Sequence, residues 1–370
     1  MKIERGNSMI KPAARYPRLI INLSAITENA SKVAQLCHSR GIELVGVTKL
    51  SLGNPTIAKV MKTAGVDKIG ESRLKNIINL YQNGVPGPFQ LLRIPMLSEI
   101  PQAVRLVDEF LVSMPEAAFE IDKQAGELDK NVSIIYMIDV GDLREGVWFE
   151  HAVDEILSVA VKLKHAILRG IGTNVGCYGG VLPTKENITM LVEIGKELES
   201  NLGYELAISG GSTVTLALLE NGALPEGINQ FRVGEGIILG TDATGDRDIP
   251  YLRQDTVILE AEVIEVDYKP SVPVGELGKD AFGRTPHFED KGYRKRIILA
   301  VGEQDVKPDG LIPLEKGLHV LHASSDHLIV DTTESTETFK LGDIVRFRMS
   351  YGCALRAFTS PYVEKVFIED

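Results

Sequence analysis

Basic charge is the first thing this sequence is short of. Its 370 residues carry 40 Lys+Arg against 51 Asp+Glu, a net charge of −11. A chain that binds nucleic acid over its surface needs a basic face, so this balance argues against that function. Cysteine is scarce as well. Cys37, Cys177 and Cys353 are too few and too scattered for a disulfide framework or a Cys-x-x-Cys metal site, and a reduced, cytoplasmic chain with no bound metal is expected. Long apolar runs are missing. Stretches such as Ile134–Val140 fall far short of the roughly 20 residues that span a bilayer, and the N-terminus has charges but no apolar signal core. What remains is a soluble globular composition, 44% hydrophobic and 25% charged. At this length it is enough for two domains, or for one barrel and a partner domain.

Residues 1–16 are polar and basic and read as a frayed end. From Pro17 the grammar is short β-branched runs alternating with amphipathic stretches. Strands are predicted at Glu43–Thr48, Asp67–Gly70, Phe89–Ile94, Glu109–Ser113, Val132–Val140, Ala166–Gly172, Glu205–Ser209 and Gln230–Val233. Helices are predicted between them, among them Asn22–Arg40, Pro55–Ala64, Leu97–Glu109, Pro115–Leu128 and Lys185–Leu202. Asn54-Pro55 and Pro183-Thr184 are N-terminal cap signals. Repeated βα alternation points to a parallel sheet, and eight units to a closed (β/α)8 barrel over residues 17–241, with an open doubly wound sheet as the alternative. No Rossmann glycine fingerprint follows the first strand. After Thr241 helical periodicity disappears. Short alternating runs with Gly, Pro and Asp turns predict an antiparallel β domain over residues 242–370.

In a barrel of this kind function sits at the C-terminal ends of the strands. Lys49 follows the apolar Val45-Gly46-Val47 of the first strand. Partial burial there would leave a nucleophilic amine; a surface lysine at a strand end is the alternative. The fifth strand leads into Asp139–Gly146, with Arg144 flanked by acids, and the sixth into the glycine-dense Gly172–Gly180 with Cys177. After the seventh comes Ser209-Gly210-Gly211-Ser212, and after the eighth Arg232-Val233-Gly234. Adjacent glycine turns that open helices are suited to hold a phosphate, and in barrels that site lies after strands seven and eight. With the lysine they point to a phosphorylated aldehyde cofactor.

As a set these stretches resemble the alanine racemase fold type of pyridoxal-phosphate enzymes. They are Gly46–Lys49, Leu92–Met96, Gly141–Gly146, Gly172-Thr173-Asn174 with Cys177–Gly180, Ser209–Gly211 and Ala323–His327. Within that type they are most similar to the ornithine racemase branch. The resemblance implies pyridoxal 5'-phosphate as cofactor, carried covalently by Lys49, which is also one catalytic base. It implies that Arg144 lies near the cofactor's phenolic oxygen and the substrate carboxylate, and that Asn174 replaces a ring-packing histidine. Ser212, Gly234 and Tyr351 become phosphate ligands, and Arg232 faces the pyridine nitrogen. An arginine there disfavours protonation of the ring nitrogen, which favours racemisation over transamination or decarboxylation; a salt bridge from Arg232 to Glu235 or Glu260 is the structural alternative. A head-to-tail homodimer is implied as well.

Two features bear on chemistry and substrate. Racemisation by two bases needs a second acid/base opposite Lys49. The segment matching the family's tyrosine turn is Asp280-Ala281-Phe282-Gly283-Arg284, and a phenylalanine transfers no proton. Asp280, Cys177, Ser324, Ser325, Asp326 and His327 are the candidates, with Asp326 taken as the catalytic one. Asp280, Glu303, Asp305 and Asp326 are acids that could pair with a distal ammonium. The resemblance to the ornithine racemase branch, more than these acids, implies interconversion of L- and D-ornithine or a related basic amino acid. An alanine or broad-specificity racemase, a decarboxylase or aldolase of the same fold, and a non-catalytic cofactor carrier are the alternatives.

Overall fold

The computed structural model describes residues 16–370, so most of the predicted frayed segment lies outside the described residues. The chain forms two compact units. Residues 22–256, joined by 368–370, make the first. Its strands are Glu43–Val47, Lys68–Glu71, Phe89–Leu91, Glu109–Val112, Val132–Asp139, Ala166–Gly172, Ala207–Ser209 and Gln230–Val233, within a residue or two of the predicted runs in most cases. Each pairs in parallel with the next, Glu43–Val47 pairs with Gln230–Val233, and Glu109–Val112 pairs with Val132–Asp139, so the sheet closes on itself. The barrel is closed rather than open.

Local chemistry explains the alternating elements. Asn54 accepts from the amides of Thr56 and Ile57 at 3.0 and 3.2 Å, so helix Pro55–Thr63 starts where Pro55 is tolerated. Thr184 and Asn187 form a reciprocal capping box at the start of Lys185–Leu202. Inside the barrel, Leu111, Ile135, Met137 and Ala207 pack as an apolar layer against Leu92 and Ile94. The opposite end is polar. Buried Glu109 meets Lys68 at 3.1 Å and Arg169 at 2.8 Å, and Gln90 and Gln230 donate to the same carboxylate. Gly170 lets the sixth and seventh strands approach, since a Cβ there would lie 2.0 Å from the Ala207 carbonyl oxygen.

The predicted helix Leu97–Glu109 shrinks to Ile100–Ala103. Asp108 is committed to the strand edge, where its carboxylate accepts from the Phe89 amide at 2.8 Å, and Glu109 is already in the sheet.

Residues 16–21 and 257–367 form the second unit. Its antiparallel sheet runs Leu311–Pro313, Ile344–Met349, Val257–Pro270, Tyr293–Leu299, Leu328–Asp331, His319–Ala323. Three particulars go beyond the expected outline. Residues Arg18 to Ile21 pack with the second unit: they pair antiparallel with Glu260 to Val257, and Arg18 meets the Glu260 carboxylate at 2.7 Å. By packing, the two units part at 256/257, beyond the 241/242 expected from the change of grammar. Residues 241–256 are tied to the barrel unit through Thr241 to Glu235, Arg247 and Tyr251 to Glu220, and the Arg253 amide to Asn29. Finally, this part of the chain is not all β. Tyr351–Thr359 is a helix burying Cys353, Ala354, Ala357 and Phe358, an i, i+1, i+4, i+5 stripe.

Candidate active site

Arg232 lies on the eighth barrel strand with its side chain buried. Its guanidinium donates to the Ser209 hydroxyl, to the Thr173 carbonyl oxygen at 2.5 Å and to Asn174 Oδ1 at 3.0 Å. Burial pulls its pKa down to about 10, with Glu145 acting in the opposite sense, so the group is still a cation at neutral pH. Ser209 is itself oriented, donating to Gln230 Oε1 at 2.8 Å. The salt-bridge alternative fails. Glu260 is held by Arg18 and Arg346, and Glu235 accepts from the Thr241 hydroxyl and the Ala243 amide at 2.7 and 2.9 Å.

Lys49 differs from its expected setting. The first strand stops at Val47, and Lys49 opens the single turn Lys49–Ser51. It is exposed rather than partly buried, because Leu50 and Ser51 take the buried positions of the turn. Thr48, just before it, donates to Glu71 Oε2 at 3.0 Å. Glu71 is fully enclosed, burial pushes its pKa up, and its other oxygen accepts from the Ser72 amide at 2.6 Å. The lysine thus stands on a turn locked to the neighbouring strand.

Arg144 and Asn174 come together from different loops. Arg144 makes a two-pronged ion pair with Glu145, and Asn174 Nδ2 donates to the same Glu145 at 2.5 Å. Burial opposes the charge of Arg144, but the Glu145 carboxylate more than offsets this and raises its pKa. Asp142 fastens the two loops to each other. Fully buried, it accepts from the amides of Cys177, Tyr178 and Val181 at 3.3, 2.9 and 3.1 Å. Cys177 is an exposed residue; partial desolvation of its thiol comes first in pushing it up, and it lies within electrostatic reach of Arg144 and Lys49. Ser212 and Gly234 are half-buried on the two glycine turns. These are joined by the Arg232 amide to the Gly211 carbonyl oxygen and the Gly236 amide to the Thr213 hydroxyl. Gly211 has φ +122°, and a Cβ there would sit 2.4 Å from the Thr215 hydroxyl.

The other predicted residues belong to the second unit. Tyr351 is half-buried at the start of helix Tyr351–Thr359. Asp326 is exposed on the tip between strands His319–Ala323 and Leu328–Asp331, where it accepts from the Ser325 hydroxyl at 2.8 Å. Asp280 and Glu303 both clamp Arg284, at 2.7 and 2.6 Å, beside a charged cleft of ≈ 510 Å³ that also takes in His322 and Arg356. The Arg284 hydrogen bonds and charge, with the Phe282 amide, overcome desolvation and hold Asp280 down at about 2, which makes it a weak base. Asp305 is buried and accepts from Ser360 at 2.6 Å, so it offers no open carboxylate to an ammonium. Of the candidates for a second proton carrier, Cys177 alone is in the unit that holds Lys49.

Sequence reasoning missed Glu145, Asp142, Thr173 and Ser209. The acids around Arg144 were visible as a pattern. Their division of labour was not, one closing the loop and one pairing the guanidinium.

A closed parallel barrel with a lysine turn after its first strand, a buried arginine ending its eighth and two linked glycine turns belongs to the alanine racemase fold. Residues 21–242 match the family described as alanine racemase, N-terminal domain. The chain is 53% identical over 353 residues to a lysine racemase of Thermotoga maritima, covering 95% of this chain and 98% of that one. It is 40% identical over 351 residues to an ornithine racemase of Acetoanaerobium sticklandii, covering 95% and 99%. An alanine racemase structure from Clostridium difficile superposes with a TM-score of 0.74 at 18% identity, covering 97% of each chain, which speaks to fold alone. The chain belongs to the alanine racemase family, a family of pyridoxal-phosphate enzymes. Among the described residues no helix is long and apolar enough to cross a membrane.

Proposed function

We propose that this protein is a pyridoxal-phosphate-dependent racemase that interconverts the L and D forms of lysine, ornithine or a related basic amino acid. The observation that carries the reading is Arg232, a fully enclosed cation fixed by three acceptors where the family resemblance puts the pyridine nitrogen. The names of the two relatives support the substrate class. The residues suit the cofactor by the chemistry of their donors. Lys49 is an accessible amine for an aldehyde, and the linked turns at Ser212 and Gly234 offer backbone for a phosphate, with Tyr351 as a further ligand. When bound, the cofactor withdraws electrons from the substrate's α-carbon and acidifies its proton.

The chain's own groups then divide the work. Lys49 Nζ takes the α-proton on one side and returns it. With the cofactor in place, Arg144 would bind the α-carboxylate, Asn174 would lie beside the ring, and Arg232 would present a positive donor that disfavours protonation of the ring nitrogen. That restraint favours rapid reprotonation and argues against decarboxylase or transaminase chemistry. The working assembly is a head-to-tail homodimer, in which the partner supplies the second acid/base, and the location is cytoplasmic.

Lys49→Ala tests the reading. The wild-type protein with the cofactor should show a lysine-bound absorbance band and exchange the α-proton of L-lysine or L-ornithine in D2O with loss of optical rotation. The variant should lose both, and a variant that keeps the band or the exchange refutes the assignment of Lys49.

A further inference from the structure

We propose that Glu145 selects basic amino acids by charge exchange: the substrate's α-carboxylate replaces Glu145 on Arg144, and its distal ammonium replaces Arg144 on Glu145. The inference rests on the racemase reading and on the role that reading gives Arg144.

Adjacent in sequence, Arg144 and Glu145 are joined by a two-pronged ion pair, so the guanidinium face that reads a carboxylate already holds one. Their surroundings are unequal. The Arg144 side chain is 39% exposed and that of Glu145 only 17%. Glu145 is also fixed from behind by Asn174, which is fixed in turn by Arg232. When the pair opens, Arg144 is the member free to move. Glu145 stays, mostly enclosed, with a neutral amide as its remaining hydrogen-bond partner and the already-engaged Arg232 as a cation within electrostatic reach.

A carboxylate that loses its direct ion-pair partner in a largely buried setting is costly. An amino acid with a short neutral side chain delivers its carboxylate to Arg144 and leaves that cost unrelieved. A diamino acid carries both charges of the broken pair, so each protein group ends with a partner. Of the other acids considered for this task, Asp280 and Glu303 are engaged by Arg284 and Asp305 by Ser360, while Asp326 stands exposed on a strand tip in the other unit. One residue thereby does two things, closing the carboxylate site when it is empty and rewarding the substrate that brings an ammonium.

The test compares kcat/KM for L-lysine with that for L-norleucine, which has the same chain length without the ammonium, using holoenzyme. In Glu145→Gln the lysine-to-norleucine ratio should fall about a hundredfold, the scale for removing one partner of a desolvated charge pair, with most of the lysine loss in KM. Equal losses for both substrates would overturn the proposal and reduce Glu145 to a prop for Arg144. Glu145→Asp keeps the charge but withdraws it by one methylene, so the lysine-to-ornithine ratio should rise; an unchanged ratio also counts against the idea and does not depend on the Gln variant folding. Failure of the racemase reading is distinct: the wild-type holoenzyme would exchange the α-proton of neither lysine nor ornithine.

Discussion

Replacing Glu235 with glutamine should change how stability depends on pH, and the size follows from the site. Glu235 opens the turn after the eighth strand. Burial raises its pKa from 4.5 to about 7, while its hydrogen bonds to Thr241 and Ala243 and the charge of Lys49 pull the other way. The folded state therefore holds its proton more tightly than the unfolded chain. Below pH 4.5 both states are protonated and nothing is lost. Between 4.5 and 7 the unfolded chain ionises first, so folding stability falls as pH rises, and above 7 the loss is complete. At ~1.4 kcal/mol per pH unit the full loss is about 3 kcal/mol, an upper limit for a group that keeps some contact with solvent. A glutamine accepts the same two hydrogen bonds and carries no charge. Denaturant unfolding of the cofactor-free protein at pH 5, 6, 7 and 8 measures the difference between the two proteins. The advantage of Glu235→Gln should grow through that window and level off by pH 8. A difference that is flat with pH, or that shrinks as pH rises, would refute the argument.

Two further substitutions test how the site is supported. Asp142→Ala removes the acceptor for three loop amides. It should cost about 2 kcal/mol in thermal or denaturant unfolding and should raise proteolytic nicking between residues 173 and 181; unchanged nicking would show that the loop is held by other contacts. Gly170→Ala places a methyl 2.0 Å from the Ala207 carbonyl oxygen. It should cost 3 kcal/mol or more, on the order of severe overpacking, so soluble protein with wild-type melting would contradict the strand spacing described above.

Much of the barrel was legible because its elements are local. A βα unit is written in a run of β-branched residues, an amphipathic stretch and a cap, and Asn54 and Thr184 cap where those signals predict. Strand ends were legible as well, and the order of the units follows from their alternation. The antiparallel unit was less so. Arg18–Asn22 looks like the start of the barrel by proximity in sequence, yet Arg18 to Ile21 pair with Val257 to Glu260. Such long-range pairing depends on complementary edges that no local pattern reveals. Helix Tyr351–Thr359 was hidden by the β grammar on either side and has no side-chain cap to announce it, unlike the equally short Pro55–Thr63.

At the site, the residue types came from the sequence and their states from the fold. A lysine after the first strand, an arginine ending the eighth and glycine turns beside it could be read directly, since βα topology sends strand ends to one rim. Whether Lys49 is buried could not be read; its exposure is decided by the turn in which Leu50 goes inward. Nor could the partner of Arg232. Glu235 is a near neighbour in sequence, but strand geometry brings Ser209, Thr173 and Asn174 to the guanidinium instead. The sequence alone determined the periodicity, the caps and the inventory of reactive groups, because these depend on neighbours along the chain. Only the tertiary structure decided which charges meet and which are enclosed, because burial and pairing depend on segments that fold together from across the chain.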